Sequence, residues 1–234
     1  MPRLIDMSAL VLRSKQRADK VGDDHIGGSD TSEWNRLISE VWGADVFSVV
    51  AGTGLRYFET TADLVSDSDA YLDEPTNCLS VIRLNYVGTG GIESELDEVN
   101  AYEESFFKTS TQTANPSRYF ALVDNRIYLY PPPASGKTYR LTYIPQAPDV
   151  SGYASDACVD VVTPDGEACL IWGVAALARA KASQDASFHM QQSEKYRERL
   201  IGWAAERVMA QPRRRVVRLD VPGDRSTDPA EFNW

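Results

Sequence analysis

Histidine is almost absent from this sequence, which contains only His25 and His189. The first lies in a glycine-rich segment and the second in a predicted helix, far apart along the chain. A histidine-based catalytic triad or a zinc site with several histidine ligands is therefore hard to assemble. The three cysteines form an odd number and have no Cys-x-x-Cys spacing, which is typical of free thiols in a reducing cytosol.

Long apolar runs are also missing. No stretch approaches the roughly 20 apolar residues that a helix needs to cross a bilayer. The segment 1–16 has only a short apolar stretch and no small-residue cleavage site, so we expect no signal peptide. With 234 residues, 43% of them hydrophobic and 25% charged, the composition is typical of a soluble globular protein made in the cytosol.

Three segments look like binding or catalytic motifs but lack essential residues. Asp67–Asp69 begins like a calcium loop, yet Leu72 stands where glycine is needed and Cys78 where the last carboxylate should be. Gly88–Gly91 lacks the lysine that completes a phosphate-binding loop. Ser105–Lys108 has Ser-x-x-Lys spacing without the companion motifs. We therefore expect no catalytic site, no cofactor and no metal.

The segment 118–148 contains three short runs of aromatic and β-branched residues, Tyr119–Val123, Arg126–Tyr130 and Tyr139–Ile144. Asp124–Asn125 separates the first two runs, and both residue types tolerate the positive φ of a hairpin turn. Three consecutive prolines end the second run, and apolar and polar residues alternate along the third. The pattern predicts an antiparallel β-meander.

Helical patterns lie on both sides of this β-rich middle. Apolar spacing predicts a first helix from about Arg3 to Val21 and a second from a cap at Asp30 or Thr31 to Gly52–Gly54. A short strand is expected at Tyr57–Thr61 and another at Leu79–Tyr86. Residues 151–163 are read as a linker.

Pro164 suits the first turn of a third helix, with Asp165 and Glu167 near its positive end. One face of this helix consists mostly of small residues, which favour a close approach to another helix. This face is formed by Ala168, Ile171, Ala175, Ala178 and Ala182. A fourth helix runs from Ala186 to about Ala210. Its apolar residues are expected to face the core: Phe188, Tyr196, Leu200, Trp203 and Val208.

These patterns predict an α+β fold. About four helices from both ends of the chain form a helical bundle, with an antiparallel β insertion and an extended C-terminal arm. The predicted segments are 1–54 for the first helix pair, 55–150 for the insertion, 151–211 for the second helix pair and 212–234 for the arm.

The net charge of −10 is concentrated in one window. From Glu59 to Glu104 there are twelve acids and a single base, Arg83, so the rest of the chain is close to neutral. The acids singled out as facing a channel or a rim are Asp67, Asp69, Asp73, Glu74, Glu93, Glu95, Asp97 and Glu98. They form either a solvated face or a wall that repels nucleic acid and lets it slide.

The C-terminal tail combines arginines with a short strand-like run. The residues of interest are Arg213, Arg214, Arg215, Val216, Val217, Arg218, Leu219, Val221, Phe232 and Trp234. One interpretation is a basic, disordered end. The other is an arm that orders on a partner by adding a strand, with its arginines pairing with carboxylates and its aromatic residues filling a pocket.

Two strands and the order of elements resemble a known family. Val123–Pro131 reads VDNRIYLYP and Tyr139–Pro145 reads YRLTYIP. Before them comes a helix pair with Arg17–Asp19 and Asp30–Ile38, and after Pro164 comes a second pair. In these features the chain resembles the head-to-tail adaptor proteins of tailed bacteriophages, also called neck or connector proteins.

The resemblance implies a structural role in the virion neck and no enzymatic activity. It implies a homo-oligomeric ring, usually a dodecamer, between the portal and the tail or nozzle proteins, through which DNA passes without specific binding. Such a protein is made in the host cytoplasm and needs neither a cofactor nor a membrane. In the resembling adaptors the C-terminal segment docks on the portal, which assigns docking to Arg213–Val221, Phe232 and Trp234 here.

Two other functions stay open at this point. The tyrosine-rich insertion and its acids would also suit a carbohydrate-binding or hydrolytic decoration protein of the virion, although nothing singles out one carboxylate pair. The arginines of Arg213–Arg218 would suit a small regulator or a nucleic-acid-binding protein.

Overall fold

The computed structural model describes residues 3–19, 31–67, 69–99 and 117–209. The fold is α+β, with α-helices and mostly antiparallel sheets, as the sequence predicts. The chain divides into two compact units. The helical unit comprises Met1–Thr60, Asn77–Val81 and Tyr143–Pro212, and the β unit contains Thr61–Thr76 and Ile82–Thr142.

Among the described residues, the helical unit has five α-helical segments. They are α1 (Met7–Ala18), α2 (Ser32–Val41), α3 (Ser48–Gly52), α4 (Pro164–Lys181) and α5 (Ser187–Met209). A π-helical segment, Trp42–Phe47, connects α2 to α3. Helix α4 contacts α1, α2 and α5, so it lies at the centre of the helical packing. This position explains why ten of its residues are buried.

The first helix is shorter than predicted. Leu4–Asp6 forms strand β1, which pairs antiparallel with strand β10, Cys158–Asp160. Part of the predicted linker is therefore a strand. The two segments are 152 residues apart at Asp6 and Cys158, where the thiol lies 3.1 Å from the carboxylate. Because the two strands are so far apart in the sequence, no local pattern predicts either of them.

Helix α4 begins where the sequence predicts, and local chemistry accounts for its start. Thr163 is the N-cap residue, and its hydroxyl accepts a hydrogen bond from the backbone N–H of Gly166 at 3.0 Å. Pro164 occupies the first helical position, and Asp165 and Glu167 lie in the first turn. Carboxylates there interact favourably with the positive end of the helix dipole.

The close helix approach predicted for α4 is present. Ala175 and Ala178 are fully buried. The tightest position is Gly173, because a Cβ atom there would lie only 2.7 Å from Cγ1 of Val41 on α2 and 3.1 Å from Oγ of Ser193 on α5. The absence of a side chain at Gly173 therefore lets α2, α4 and α5 meet.

The second and last helices depart in detail from the prediction. Thr31 precedes α2 but makes no side-chain capping hydrogen bond. Along α5 only Ser193, Leu200 and Ala204 are buried. Phe188 was expected to face the core, but 56% of it is exposed, so that expectation is wrong. Phe188 lies in the first turn of α5, where its ring makes a T-shaped contact with Trp172 and is otherwise largely open to solvent.

In the described part of the chain, eight further strands form two four-stranded sheets. They are β2 (Thr60–Val65), β3 (Tyr71–Asp73), β4 (Cys78–Val87), β5 (Glu93–Glu95), β6 (Asp97–Glu98), β7 (Tyr119–Val123), β8 (Arg126–Tyr130) and β9 (Thr138–Pro145). The strand orders are β2-β9-β4-β5 and β3-β8-β7-β6. The short pair β6–β7 is parallel.

The predicted meander is correct for its first two strands only. Strands β7 and β8 form an antiparallel hairpin, and Asp124 in the turn has a φ of 55°. Strand β9 belongs to the other sheet. Strand β8 already has β3 on one edge and β7 on the other, so it has no free edge for β9. The expected strand at Tyr57–Thr61 is also wrong in part, because Arg56–Phe58 is a 3-10 turn.

Candidate functional site

The acids singled out in the sequence lie largely on the edge strands of the two sheets. Asp73 is on β3, Glu93 and Glu95 are on β5, and Asp97 and Glu98 are on β6. The remaining ones, Asp67, Asp69 and Glu74, lie in the loops around β3. Glu74 and Glu98 are half-buried, and the other six are exposed. Charged side chains on edge strands discourage unwanted pairing with other sheets.

Two arginines from outside the acidic window reduce its negative charge. Arg140 on β9 donates two hydrogen bonds to Asp63, at 2.7 and 3.0 Å, and also pairs with Glu93. Arg126 on β8 lies 3.6 Å from Asp73. The acidic window is therefore less negative in the folded protein than the sequence alone indicates. Arg126 and Arg140 lie outside the window in the sequence, but the fold places them beside its carboxylates.

The contacts with Arg140 also lower the pKa values of Asp63 and Glu93, which limits the reactions in which these carboxyl groups can take part. A hydrogen bond from Arg140 holds the pKa of Asp63 below its usual range. Hydrogen bonds from Asn85, at 2.7 Å, and from Arg140 lower the pKa of Glu93. A general acid for glycoside hydrolysis needs a raised pKa, so this carboxylate pair is unsuited to that reaction.

The tyrosines of the insertion pack against groups of the protein itself. Tyr139 is fully buried, and its ring centroid lies 5.6 Å from that of Tyr86. The guanidinium of Arg126 lies 4.3 Å from the ring centroid of Tyr71, which also packs on Tyr128 at 5.7 Å. These ring faces are engaged in packing, which does not favour stacking on a sugar.

In the helical unit, a carboxylate near the start of α4 gathers two arginines. Glu167 has a side chain that is only 10% exposed, and it accepts hydrogen bonds from Arg3 and Arg13. Arg3 precedes β1 and Arg13 is on α1, so the interaction joins the N-terminal segment to α4. A carboxylate this buried is stable only when it is paired.

A second junction is formed by Asp160 at the end of β10. Its carboxylate accepts hydrogen bonds from the hydroxyl of Tyr57 at 3.1 Å and from the backbone N–H of Val162 at 2.8 Å. Burial, followed by the nearby Asp160 charge, raises the pKa of Tyr57 to about 12. Val162 has a φ of 66°, a strained conformation for a β-branched residue. The bond to Asp160 supports this strained turn.

One groove of the helical unit is basic and aromatic; we call it the basic groove. It has a volume of about 430 Å³, and its main lining residues are Arg13, Gln16 and Arg17 from α1, Trp172 from α4 and Tyr196 from α5. The guanidinium of Arg17 lies 4.7 Å from the ring centroid of Trp172. Nε2 of His189 lies 3.1 Å from the carbonyl oxygen of Arg17.

Another groove of this unit carries carboxylates; we call it the acidic groove. It has a volume of about 300 Å³ and includes Glu40, Asp45, Leu177, Met190 and Glu194. Burial raises the pKa of Asp45, although the neighbouring Arg197 acts in the opposite direction. Arg197 lies 3.4 Å from Asp45 and 3.1 Å from Glu194, so it offsets one of the three negative charges.

Several of these residues were missed by the sequence reasoning. Arg13 and Arg17 are four positions apart on α1, a spacing that places them on one helix face and could have indicated a basic patch. The pairing of Arg140 with distant acids had no such signal. The proposed docking residues from Arg213 to Trp234 lie outside the described residues, as do Ser105–Lys108 and His25.

Two features are absent from the described part of the chain. No helix among these residues is long and apolar enough to cross a membrane. Within the same ranges, no group of three or more His, Cys, Asp or Glu side chains is arranged to hold a metal ion.

The chain has charged grooves on its helical unit and ion pairs between Arg140 and acids of the edge strands. These features are typical of a protein that binds other macromolecules. The family model for the SU10 adaptor protein matches residues 8–218, and the chain belongs to this family of phage head-to-tail adaptors. The resemblance found in the sequence is thereby confirmed. The protein is a bacteriophage structural protein and a virion component. A comparison with curated proteins gives no match.

Proposed function

We propose that this protein is one subunit of a ring that joins the portal of a phage to its tail and lines the channel for DNA. The observation that carries the proposal is the family match over residues 8–218, which includes helices of both ends and the whole β unit between them. The partners are other copies of the chain, the portal protein and the tail or nozzle proteins. DNA passes without specific binding.

The proposed architecture has four parts. The segments 1–54 and 151–211 supply a helical bundle, 55–150 is the β insertion, and 212–234 is an extended arm. Contacts of α4 with α1, α2 and α5 support the bundle. A ring needs a heterologous interface that closes on itself, so each subunit has to present two different surfaces to its neighbours. Twelve subunits are proposed, and the chain is made in the host cytoplasm.

The channel role is assigned to the acids of the β unit. Asp67, Asp69, Glu95 and Asp97 have no lysine or arginine partner among the residues that the structure describes. Repetition around a ring would multiply this modest negative charge. Because screening limits the effect to about 8 Å at physiological salt, only acids on the channel wall or at the tail-side rim would repel phosphates.

The docking role is assigned to the arm, from Arg213 to Val221, with Phe232 and Trp234 as anchors. Arginines can pair bidentately with carboxylates of the portal, and a strand-like run can add to a partner's sheet. The helices that carry the buried residues of the helical unit lie upstream of Gln211. Removal of the arm should therefore leave the fold in place.

Native mass measurement of the full chain, with and without portal rings, tests the adaptor role. We expect a defined portal–adaptor complex, and a variant truncated after Gln211 should fold but fail to join it. The full-length double variant Phe232→Ala/Trp234→Ala separates the anchors from the rest of the arm. A full chain that neither forms rings nor binds portal rings would contradict the adaptor proposal. Portal binding by the truncated variant with unchanged affinity would contradict only the arm.

A map of the assembled ring tests the channel role. We expect part of the set Asp67, Asp69, Asp73, Glu74, Glu93, Glu95, Asp97 and Glu98 to face the lumen or the tail-side rim. If all eight carboxylates point away from both, they serve solubility and edge protection, and the channel assignment is wrong.

A further inference from the structure

The basic groove and the acidic groove lie on opposite sides of the same helix. Ala168, Ile171 and Trp172 of α4 line the basic groove, whereas Gly173, Ala176 and Leu177 line the acidic groove. With 3.6 residues per turn, these two sets project from α4 in roughly opposite directions. The helical unit therefore presents two different concave surfaces, as a subunit with a neighbour on each side requires.

The charges of the two grooves are complementary. Of the residues that line the basic groove, Arg13 and Arg17 outnumber the single carboxylate of Glu167 by one. Arg3, which also pairs with Glu167, adds one more positive charge beside the groove and brings the excess to two. Arg17 is exposed and has no carboxylate partner among the described residues. At the acidic groove, Glu40, Asp45 and Glu194 outnumber Arg197 by two. Equal and opposite excess charges favour contact between these surfaces.

The apolar parts of the two grooves also fit each other. Met190 at the acidic groove is 50% exposed, so its thioether is accessible to a partner. Trp172 in the basic groove makes a T-shaped contact with the exposed Phe188, with ring centroids 5.6 Å apart. A thioether makes favourable contacts with aromatic rings, so Met190 of one copy suits Trp172 and Phe188 of another.

We infer that the basic groove of one copy receives the acidic groove of the next copy, so that the helical units join head to tail. The inference rests on the proposed ring and names the surfaces that form it. A two-fold contact through either groove alone would place like charges together, whereas a head-to-tail contact pairs opposite charges at every junction. Duplex DNA is a poorer occupant of the basic groove, because the Glu167 carboxylate lies in its wall.

Two single charge reversals test the contact. Arg17→Glu removes the excess positive charge of the basic groove, and Glu40→Lys removes the excess negative charge of the acidic groove. Both residues are exposed, so both variants should fold. The matched controls are Arg36→Glu and Asp156→Lys, which reverse exposed charges of the same unit outside both grooves.

The measurement is the native mass of the full-length protein, alone and on portal rings, over a series of salt concentrations. For each groove variant alone, we expect the association with other copies to be weaker than that of the wild type by a factor of roughly ten. The controls should associate as the wild type does. In an equimolar mixture, the intact acidic groove of the Arg17→Glu copy meets the intact basic groove of the Glu40→Lys copy. The mixture should therefore recover association that neither variant shows alone.

The outcomes separate this inference from the adaptor proposal. If the wild type forms rings and both groove variants assemble equally well, the inference is wrong and the adaptor proposal stands. A mixture that associates no better than the single variants also overturns the inference, as does retardation of a DNA fragment by the wild type that Arg17→Glu abolishes. If the wild type forms no ring and binds no portal, both proposals fail.

Discussion

The indole N–H of Trp42 donates a hydrogen bond to the backbone carbonyl of Asp160 at 2.8 Å, across 118 residues of sequence. Trp42 begins the π-helical segment after α2, and Asp160 ends β10 just before α4. The hydroxyl of Tyr57 bonds to the carboxylate of the same aspartate. The N-terminal helices are thus tied directly to the turn from which the central helix begins.

Tyr57→Phe should lower the free energy of unfolding by about 0.5–1.5 kcal/mol, because it removes one hydrogen bond to Asp160 while the ring keeps its packing. Chemical denaturation followed by tryptophan fluorescence measures the change. Tyr153→Phe is the control, since the Tyr153 side chain is at the surface. Equal stability of the two variants would show that the hydroxyl of Tyr57 does not support the turn.

Gly166→Ala should destabilise the protein by about 1–3 kcal/mol or more, because the new Cβ atom would lie 2.1 Å from the carbonyl oxygen of Val161. Gly202→Ala is the matched control, since no atom lies within 4 Å of a Cβ there and alanine is the better helix former. That variant should be about 0.5–1 kcal/mol more stable than the wild type. Thermal unfolding of both variants measures the two effects. A Gly166→Ala variant as stable as the wild type would contradict the expected clash with Val161.

Glu167→Gln should cost about 1–3 kcal/mol of stability, because the buried carboxylate is the shared acceptor of Arg3 and Arg13. Glu33→Gln changes a more exposed acid that lies 3.4 Å from Lys181, and it should shift stability by no more than about 0.5 kcal/mol. Urea denaturation of the two variants compares them. A small effect at both positions would mean that the Glu167 pairs contribute little.

In the variant Arg140→Gln, the melting temperature should fall less steeply with decreasing pH than it does in the wild type. The pKa values of Asp63 and Glu93 are lowered in the fold, so their ionised forms stabilise it above the ordinary values of 3.8 and 4.5. This stabilisation is lost as the pH falls through the lowered values. Melting temperatures between about pH 7 and pH 3 measure it. A wild type and a variant with parallel curves in this range would contradict the assignment.

How far the sequence predicts the fold depends on the distance between interacting residues. The start of α4 follows from Thr163, Pro164 and the first-turn acids, which interact within one helical turn. The hairpin β7–β8 follows from two adjacent runs and a short turn. In contrast, β1 and β10 pair across more than 150 residues, and neither was predicted.

The candidate surfaces follow the same rule. The sequence identifies the acids of the window but not the arginine that offsets two of them, because Arg140 is 47 residues from Glu93 and 77 from Asp63. It shows Arg13 and Arg17 on one helix but not Trp172 beside them. A groove is formed by side chains from several elements, and only packing brings those elements together.

The sequence by itself determined the α+β class, the start of α4 and the order of elements that marks an adaptor, because periodicity, capping and turns act between neighbouring residues. The tertiary structure decided which strands share a sheet, which acids keep their charge unpaired and which residues form the two grooves. Strand β9 shows the reason most directly. Its alternating pattern predicts a strand but does not say which sheet the strand joins; both edges of β8 are paired, with β3 and β7, and β9 lies between β2 and β4.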